Sequence, residues 1–261
     1  MILDIKEIEQ KYSMTGDFHT HTVYSCRMGY KHGKGLIKEN VGVAAKLGLS
    51  EIAITDHGPG HKLYGMDIRR IPQMRNDIAE AEGLFPDTKI YLGVEANIIN
   101  TENGLDVTRE QFGLFDFVIA GYHYGLPKGY MIRNSICSHV GLTSGSTEQL
   151  RFLNTEMTVR ALTENRVKII THPGDKGPFD MKEISQACEK TGTMMEISTR
   201  HTHLTVDEIK IAADYDVKFV IDSDAHRPCE IGNYAGGIAR AQEAGLDISR
   251  IVNIKERNVT A

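Results

Sequence analysis

Short apolar runs alternate with amphipathic segments roughly seven times along this chain, and this alternation constrains its fold more than any other feature. The apolar runs predict β-strands, for example at 51–55 and 167–171, and the segments between them carry apolar residues at helical spacing, as at 36–47. Strands that alternate with helices indicate a parallel sheet with helical crossovers. Because roughly seven or eight such units fit within 261 residues, we predict a closed barrel in a single α/β domain spanning 1–261.

Nearly every predicted strand ends in histidine, aspartate or glutamate. The carboxyl ends of parallel barrel strands meet at one mouth, so these side chains are expected to converge. Burying them together without partners would be costly, and divalent metal ions relieve that cost. Imidazoles and carboxylates are ligands that suit zinc, manganese or iron. We therefore predict metal ligands at the strand ends: His19, His21, His57, Glu95, His123, His172, Asp224 and His226.

Metal ions in such a mouth would keep coordination positions open for water and substrate. A bound divalent ion lowers the pKa of water towards about 7 and so supplies hydroxide, and a second ion about 3.5–4 Å away clamps the oxygens of an in-line displacement. Glu95 is the carboxylate expected to bridge neighbouring ions. The reaction predicted for this mouth is hydrolysis of a phosphate ester.

The same strand ends carry a resemblance to a known family. They form six motifs: Asp17-Phe18-His19-Thr20-His21-Thr22, Ile54-Thr55-Asp56-His57-Gly58-Pro59, Gly93-Val94-Glu95-Ala96-Asn97-Ile98, Ala120-Gly121-Tyr122-His123, Thr171-His172-Pro173-Gly174 and Asp222-Ser223-Asp224-Ala225-His226. In this order along the chain they resemble the PHP (polymerase and histidinol phosphatase) superfamily, and the second and third motifs are most similar to the small stand-alone bacterial PHP phosphatases.

The resemblance implies a distorted (β/α)7 TIM-like barrel, the PHP fold, with two or three divalent ions, often zinc, manganese or iron. It also implies a metal-dependent hydrolase of phosphoric monoesters, in which the catalytic candidates are Glu95, Asp224 and His226. Carried over motif by motif, the first ion would be held by His19, His21, Glu95 and Asp224, the second by His57 and His226, and the third by Glu95, His123 and His172.

The chain departs from the usual family pattern shortly after its first motif. Stand-alone phosphatases usually carry a further histidine there, and polymerase-linked domains an aspartate, whereas this chain has Cys26 and Arg27. Three alternatives follow. The Cys26 thiolate is a ligand, or His32 or His61 reaches the site instead, or the second ion is weakly held and the enzyme works with two metals.

Arginine at the mouth has a second use, because a guanidinium binds phosphate through two parallel hydrogen bonds. Arg27, Arg200 and Arg227 all follow predicted strand ends, and Lys176 follows His172 closely. We hypothesise that Arg27 and Arg227 bind the substrate phosphate. The alternative is that both are solvated cations on the rim.

Two loops and one glutamate complete the predicted site. Residues 124–147 show no clear element and are expected to form either an active-site lid or a surface insertion. His201 and His203 lie in a loop after the sixth strand, where contact with substrate is expected more than metal ligation. Glu196 ends the sixth strand and is expected to orient a ligand histidine, with direct metal ligation as the alternative.

Composition separates the candidate functions. The net charge is −5, from 30 Lys and Arg against 35 Asp and Glu, so the chain has no broad basic footprint and nucleic acid is an unexpected partner. The favoured interpretation is a phosphoesterase that acts on small phosphorylated substrates, like histidinol phosphatase. The alternatives are a nuclease or nucleotide phosphodiesterase, and a metal-binding PHP scaffold without catalysis.

The compartment is predicted from charge, hydropathy and cysteine spacing. The first residues are charged too early for a secretory signal, and no apolar run approaches the ~18 residues that a membrane span needs. The four cysteines are far apart and form no C-x-x-C pair, which fits a reducing compartment. We predict a cytoplasmic protein without a membrane partner.

Overall fold

The computed structural model describes residues 3–101, 103–126 and 128–257, and all statements below concern those residues. The strands are β1 (Tyr12–Met14), β2 (Gly16–Thr20), β3 (Cys26–Arg27), β4 (Tyr30–Lys31), β5 (Glu51–Ile54), β6 (Lys89–Asn97), β7 (Phe117–Gly121), β8 (Val167–Ile170), β9 (Met194–Glu196), β10 (Phe219–Val220) and β11 (Ile254–Glu256). The α-helices are α1 (Ile5–Lys11), α2 (Ile37–Lys46), α3 (Ile71–Leu84), α4 (Met131–His139), α5 (Ser144–Glu164), α6 (Met181–Thr191), α7 (Val206–Ala213) and α8 (Ala235–Glu243).

Seven strands form one sheet in the order β10-β9-β8-β7-β6-β5-β2, and the neighbours in it are parallel. The sheet curls until its two edges meet at their carboxyl ends. There, Thr20 forms a parallel bridge with Ala225, and the His21 amide donates to the Ala225 carbonyl at 2.8 Å. The predicted α/β fold, a distorted barrel of seven parallel strands, is therefore confirmed.

Side chains alternate between the two faces of the strands, and each face has its own apolar cluster. Ile119, Ile169 and Val220 pack together on one face, with Phe18 among the partly buried residues around them. Val118, next to Ile119 in sequence, belongs instead to the larger cluster that includes the buried faces of the helices. The centre of the barrel is thus filled with apolar side chains.

Local signals set the ends of several helices. The Asp180 side chain accepts hydrogen bonds from the amides of Lys182 and Glu183 and so caps the first turn of α6, and Gly192 at φ 71 ends that helix. Thr205 and Glu208 form a capping box at the start of α7. Among the described residues, no helix combines the length and the apolar character that a membrane crossing requires.

Two segments differ from the expectations. We expected no clear element within 124–147, and this expectation is wrong, because α4 lies in that segment and α5 already begins at Ser144; Pro127 lies outside the described residues. The pair of short antiparallel strands β3 and β4 was also not expected. Outside the barrel, β1 pairs with β11 and joins the two ends of the described chain.

Candidate metal centre

The predicted metal ligands all lie at the carboxyl ends of the barrel strands and are all buried. His226 is the most exposed of the eight, at 6%. Ligand atoms within 4.8 Å of one another form four groups in the described chain: His21 with His57 and His226, His19 with His21 and Glu95, His57 with Glu95 and His123, and His172 with His201 and Asp224. The structure therefore brings together every residue that the sequence predicted as a ligand.

Glu95, at 0% exposure, lies at the middle of this assembly. Its Oε2 atom is 2.9 Å from Nδ1 of His57. Its Oε1 atom is 3.2 Å from Nε2 of His19, 3.3 Å from Nε2 of His123 and 3.1 Å from Nε2 of His172. A single carboxylate thus faces imidazoles from the ends of four other strands.

Asp224 forms the second carboxylate of the centre. Its Oδ1 atom is 3.1 Å from Nε2 of His21, and its Oδ2 atom is 3.0 Å from Nε2 of His201. The Asp224 backbone has φ 50 and that of His172 has φ 31, a left-handed region that non-glycine residues adopt at a cost of ~1–3 kcal/mol. Two of the five non-glycine residues with positive φ in the described chain are therefore predicted ligands.

Glu196 holds one of the ligand histidines from behind. Its Oε1 atom is 2.7 Å from Nδ1 of His19, and its Oε2 atom accepts a hydrogen bond from the His172 amide at 2.6 Å. These contacts leave Nε2 of His19 facing Glu95. Glu196 therefore has the contacts expected of a residue that orients a ligand.

Asp56 is a positioning residue that the sequence analysis did not single out. Its carboxylate accepts hydrogen bonds from the amides of Thr22 and Ser25, at 2.7 and 3.0 Å, and from both of their hydroxyls. It ties the loop after His21 to the strand end that carries His57. The available signal was its place in the Asp-His-Gly-Pro motif, directly before that histidine.

Burial and charge act in opposite directions on the two residues at the centre. Burial alone lowers the pKa of His19, but the carboxylates of Glu95, Glu196 and Asp224 outweigh it and raise that pKa well above its usual value. Burial alone raises the pKa of Glu95, but the imidazoles of His123 and His19 hold it well below its usual value. Glu95 is therefore ionised at neutral pH.

Burial favours the neutral form of four other imidazoles of the centre. Burial lowers the pKa of His57 well below its usual value, and lowers that of His172 to about 3 and that of His226 to about 2. Burial also lowers the pKa of His123. Neutral imidazoles and an ionised carboxylate are the forms that bind a divalent ion.

Several polar atoms of the centre are buried and have no hydrogen-bond partner in the described structure. They are Nδ1 and Nε2 of His57, Oε2 of Glu95, Nδ1 of His123, Nδ1 of His172 and Nε2 of His226. The 2.9 Å contact between His57 and Glu95 joins two of these atoms but is not aligned as a hydrogen bond. Leaving a buried polar group unsatisfied costs ~1–3 kcal/mol. The donor set and its unpaired atoms fit divalent metal ions.

The arginines take different positions around the mouth. Arg27 is exposed and donates to the Pro59 carbonyl at 2.5 Å, and Arg227 is also exposed. Arg200 lies nearest to the ligands, with Nε 3.9 Å from Oδ2 of Asp224. The predicted phosphate contacts, Arg27 and Arg227, thus lie on the rim, and Arg200, which also follows a predicted strand end, lies closer to the candidate ligands.

His32 is the histidine that the structure adds to the centre. Its half-buried ring lies 4.3 Å from the ring of His226 and 5.3 Å from that of His57, between ring centres. Burial lowers the pKa of His32 to about 4. From the sequence, His32 is only one of several alternatives for this side of the centre.

Several bacterial proteins are similar to this chain over most of its length. Residues 17–141 match the PHP domain. A probable phosphatase of Proteus mirabilis (strain HI4320) is 24% identical over 93% of this chain and 91% of its own length. Probable phosphatases of Acetivibrio thermocellus and of Thermoanaerobacter sp. (strain X514) are 27% and 28% identical, each over 91% of this chain and over 90% and 89% of their own lengths.

A solved structure shares the fold. It is a histidinol phosphate phosphatase from Lactococcus lactis in complex with zinc, L-histidinol and phosphate, which aligns with a TM-score of 0.61 at 17% identity, over 90% of this chain and 95% of that one. The resemblance predicted from the strand-end motifs is therefore confirmed, with residues 17–141 matching the PHP domain.

Proposed function

We propose that this chain is a metal-dependent phosphatase that hydrolyses small phosphate monoesters. The position of Glu95 is the main support for this function. It is a fully buried carboxylate that faces imidazoles from four other strand ends. A carboxylate with this many neutral or ionisable donors around it is suited to bridging two divalent ions. The names of the relatives support the same class of reaction.

The residues proposed to hold the ions are those predicted from the family pattern. His19, His21, Glu95 and Asp224 would hold one ion, and the remaining predicted ligands would hold the others. When bound, zinc, manganese or iron would lower the pKa of water and polarise the phosphoryl oxygens. Of the catalytic candidates, Glu95 belongs to two of the groups of candidate ligand atoms. Asp224 contacts His21, and Nε2 of His226 has no hydrogen-bond partner in the described structure.

The mouth also offers positive charge for a phosphate group. His201 lies between two carboxylates, 3.1 Å from Asp175 and 3.0 Å from Asp224. Burial opposes its protonation, but hydrogen bonds to these two carboxylates raise its pKa to about 9. Lys176 contacts Asp175 at 2.6 Å, and Arg200 lies beside Asp224. A monoester, which is a dianion near neutral pH, is favoured by such a cluster of cations.

We propose Arg200 as a phosphate contact in addition to Arg27 and Arg227. Its guanidinium is the closest to the candidate ligands among these three in the described contacts. Arg27 and Arg227 are exposed on the rim, where they could bind a substrate that extends out of the mouth. We also propose a cytoplasmic location, which the free state of Cys26, Cys137, Cys188 and Cys229 supports.

Parallel assays on monoesters and diesters test this function. Protein loaded with manganese or zinc is given p-nitrophenyl phosphate, bis(p-nitrophenyl) phosphate or L-histidinol phosphate. We expect kcat/KM for the monoesters to exceed that for the diester by about 10-fold or more. Faster turnover of the diester would favour a phosphodiesterase. Loaded protein that turns over none of the three would favour a scaffold without catalysis.

A further inference from the structure

Tyr64 lies beside the candidate metal centre, on the loop that follows β5. Its ring centre is 4.6 Å from that of His57, a predicted ligand. The ring is also stacked on that of His61, with centres 3.4 Å apart and 18° between the planes, and on that of His32, at 4.2 Å and 13°. Two rings cannot share one face of a third ring at such distances, so Tyr64 lies between the two imidazoles. Its ring therefore has a fixed orientation beside the centre.

Backbone contacts fold the loop after β5 back onto the strand end that carries His57. The Met66 amide donates to the His57 carbonyl at 2.9 Å, and the Gly65 amide donates to the His61 carbonyl at 3.0 Å. A Cβ atom on Gly65 would lie 2.6 Å from the His61 carbonyl oxygen, so this turn requires glycine. The position of Tyr64 is therefore coupled to that of the predicted ligand.

His61 is a buried histidine that belongs to none of the groups of candidate ligand atoms in the described chain. Its Nε2 atom donates to the Tyr124 carbonyl at 2.6 Å, and its Nδ1 atom accepts from the amides of Leu63 and Tyr64, each at 3.3 Å. These partners fix one tautomer and use both ring nitrogens. The imidazole is thus a rigid surface on which the phenol ring rests.

The Tyr64 hydroxyl, in contrast, is free to bind another molecule. It makes no hydrogen bond within the described structure and is not among the buried polar atoms that lack a partner there, so it is accessible from outside. Burial of the ring raises the pKa of this phenol, and the charges of Glu95, Tyr30 and Asp224 add to the effect. Two of these charges belong to the candidate metal centre, so the hydroxyl lies within their range. It is a protonated hydrogen-bond donor at neutral pH.

The cations proposed to bind phosphate lie on the other side of the mouth. Arg200 and His201 follow β9, and Lys176 lies in the loop after β8. In the closed sheet, β5 and β9 are separated by two strands in one direction and by three in the other, so their loops face each other across the mouth. A monoester whose phosphate group contacts these cations can place its leaving group on the side of Tyr64.

We propose that the Tyr64 hydroxyl donates a hydrogen bond to the leaving-group oxygen of the substrate. This role rests on the proposed function, because it concerns the same reaction. As the bond from phosphorus to this oxygen breaks, its electron pair stays on the oxygen, and a fixed donor stabilises the negative charge that develops there. Tyr64 is in this role a catalytic residue that is neither a metal ligand nor a cation.

Two aryl substrates with different leaving groups test this role in zinc-loaded protein. The charge that forms on p-nitrophenolate spreads into the nitro group, whereas that on phenolate stays largely on the oxygen, so phenyl phosphate depends more on the hydrogen bond. Tyr64→Phe keeps the ring and its stacking and removes only the hydroxyl. We expect this variant to lower kcat for phenyl phosphate by about 10-fold or more, and kcat for p-nitrophenyl phosphate by less than about 3-fold.

Tyr215→Phe is the matched control, because Tyr215 lies just before β10, at the opposite end of the barrel. We expect it to match the wild type on both substrates. Zinc content is measured by mass spectrometry on every sample, and Tyr64→Phe should hold as much zinc as the wild type. The role of Tyr64 would be overturned if both substrates changed equally, if neither changed, or if Tyr64→Phe lost zinc.

A second measurement uses the wild type alone, so it does not depend on a variant that folds. With the hydrogen bond in place, we expect kcat for phenyl phosphate to lie within about 10-fold of that for p-nitrophenyl phosphate. A larger fall would show that the leaving-group oxygen receives no such donor and would overturn only the role of Tyr64. Zinc-loaded wild type that releases phosphate from neither substrate would overturn the proposed function itself.

Discussion

Nδ1 of His19 lies 2.7 Å from Oε1 of Glu196, while Nε2 of the same ring lies 3.2 Å from Oε1 of Glu95. One carboxylate orients the ring from behind, and the opposite nitrogen faces the candidate metal centre. All three side chains are fully buried, so solvent does not compete for these contacts. The relationship makes Glu196 a positioning residue whose removal should affect metal affinity.

Glu196→Gln keeps the shape of the side chain but removes its charge. We expect it to weaken zinc binding by about 10–100-fold, because the His19 ring loses the partner that sets its tautomer and basicity. Competition against a chromophoric zinc chelator measures this affinity. Glu243→Gln, on the exposed side of α8, is the matched control and should bind like the wild type. Equal affinities in the two variants would show that Glu196 does not act on the ligand.

Glu95→Ala should lose more metal than His57→Ala. One bridging carboxylate serves two ions, whereas an imidazole serves one. Elemental analysis of the two variants after identical loading gives the number of ions that each retains. The same metal content in both would contradict the bridging role of Glu95.

Arg200→Ala should raise the KM for p-nitrophenyl phosphate by about 10-fold with a smaller change in kcat, because a guanidinium contact made before the reaction contributes mainly to binding. Arg27→Ala and Arg227→Ala, assayed in parallel, separate the three arginines. An unchanged KM in any one of these variants would remove that arginine from the proposed phosphate-binding set.

The contact between His203 and Glu208 predicts a pH-dependent stability. Nδ1 of His203 is 3.0 Å from the Glu208 carboxylate, and this hydrogen bond raises the pKa of the imidazole; burial and Arg240 oppose the shift and Asp175 adds to it. Because the folded pKa exceeds the unfolded value of about 6.5, the contact stabilises the fold fully below that pH. The stabilisation is lost as the pH rises through the folded pKa.

Glu208→Gln tests this prediction, since glutamine can still complete the capping box with Thr205. Urea unfolding at pH about 5.5 and about 9 gives the free energy of unfolding of both proteins. The wild type should have the higher free energy of unfolding. We expect its difference from the variant to be about 0.5–1 kcal/mol larger at the lower pH than at the higher one. A difference that does not change with pH would mean that His203 is not protonated in this contact.

The sequence was sufficient to predict the barrel and the clustering of the candidate metal ligands. Both depend on the regular alternation of strands and helices, in which a polar residue follows each strand. Each parallel strand ends at the same mouth, so a polar residue after an apolar run is placed there by the topology. His123 and His172, for example, are distant in sequence, yet both meet Glu95 within about 3.3 Å. Glu196 could be given an orienting role for the same reason.

Helix α4 could not be predicted because apolar residues of this helix are exposed, whereas its buried residue is polar. Ile132 and Ile136 are 70% and 41% exposed, whereas the buried residue of the helix is Asn134. That asparagine donates to the Tyr122 hydroxyl at 2.9 Å and bonds with Asn154. A helix anchored by a buried polar network leaves no apolar periodicity to detect.

The sequence offered His32 only as one of several alternatives and could not choose among them. Spacing along the chain pointed to Cys26 and Arg27, because it assumes that the loop runs directly through the mouth. The turn at Met28 and Gly29 sends the chain outward and back, so the residue that returns to the site is His32. Only the pairing of β3 with β4 reveals this.

The most direct test of the account combines metal content and catalysis on one sample. Protein purified without chelator is analysed for metals, and phosphate release from p-nitrophenyl phosphate is measured before chelation, after chelation and after zinc or manganese is restored. We expect about two or three divalent ions per chain, loss of turnover on chelation and its recovery with metal. Turnover that persists in excess chelator, or a chain that holds no metal after loading, would contradict it.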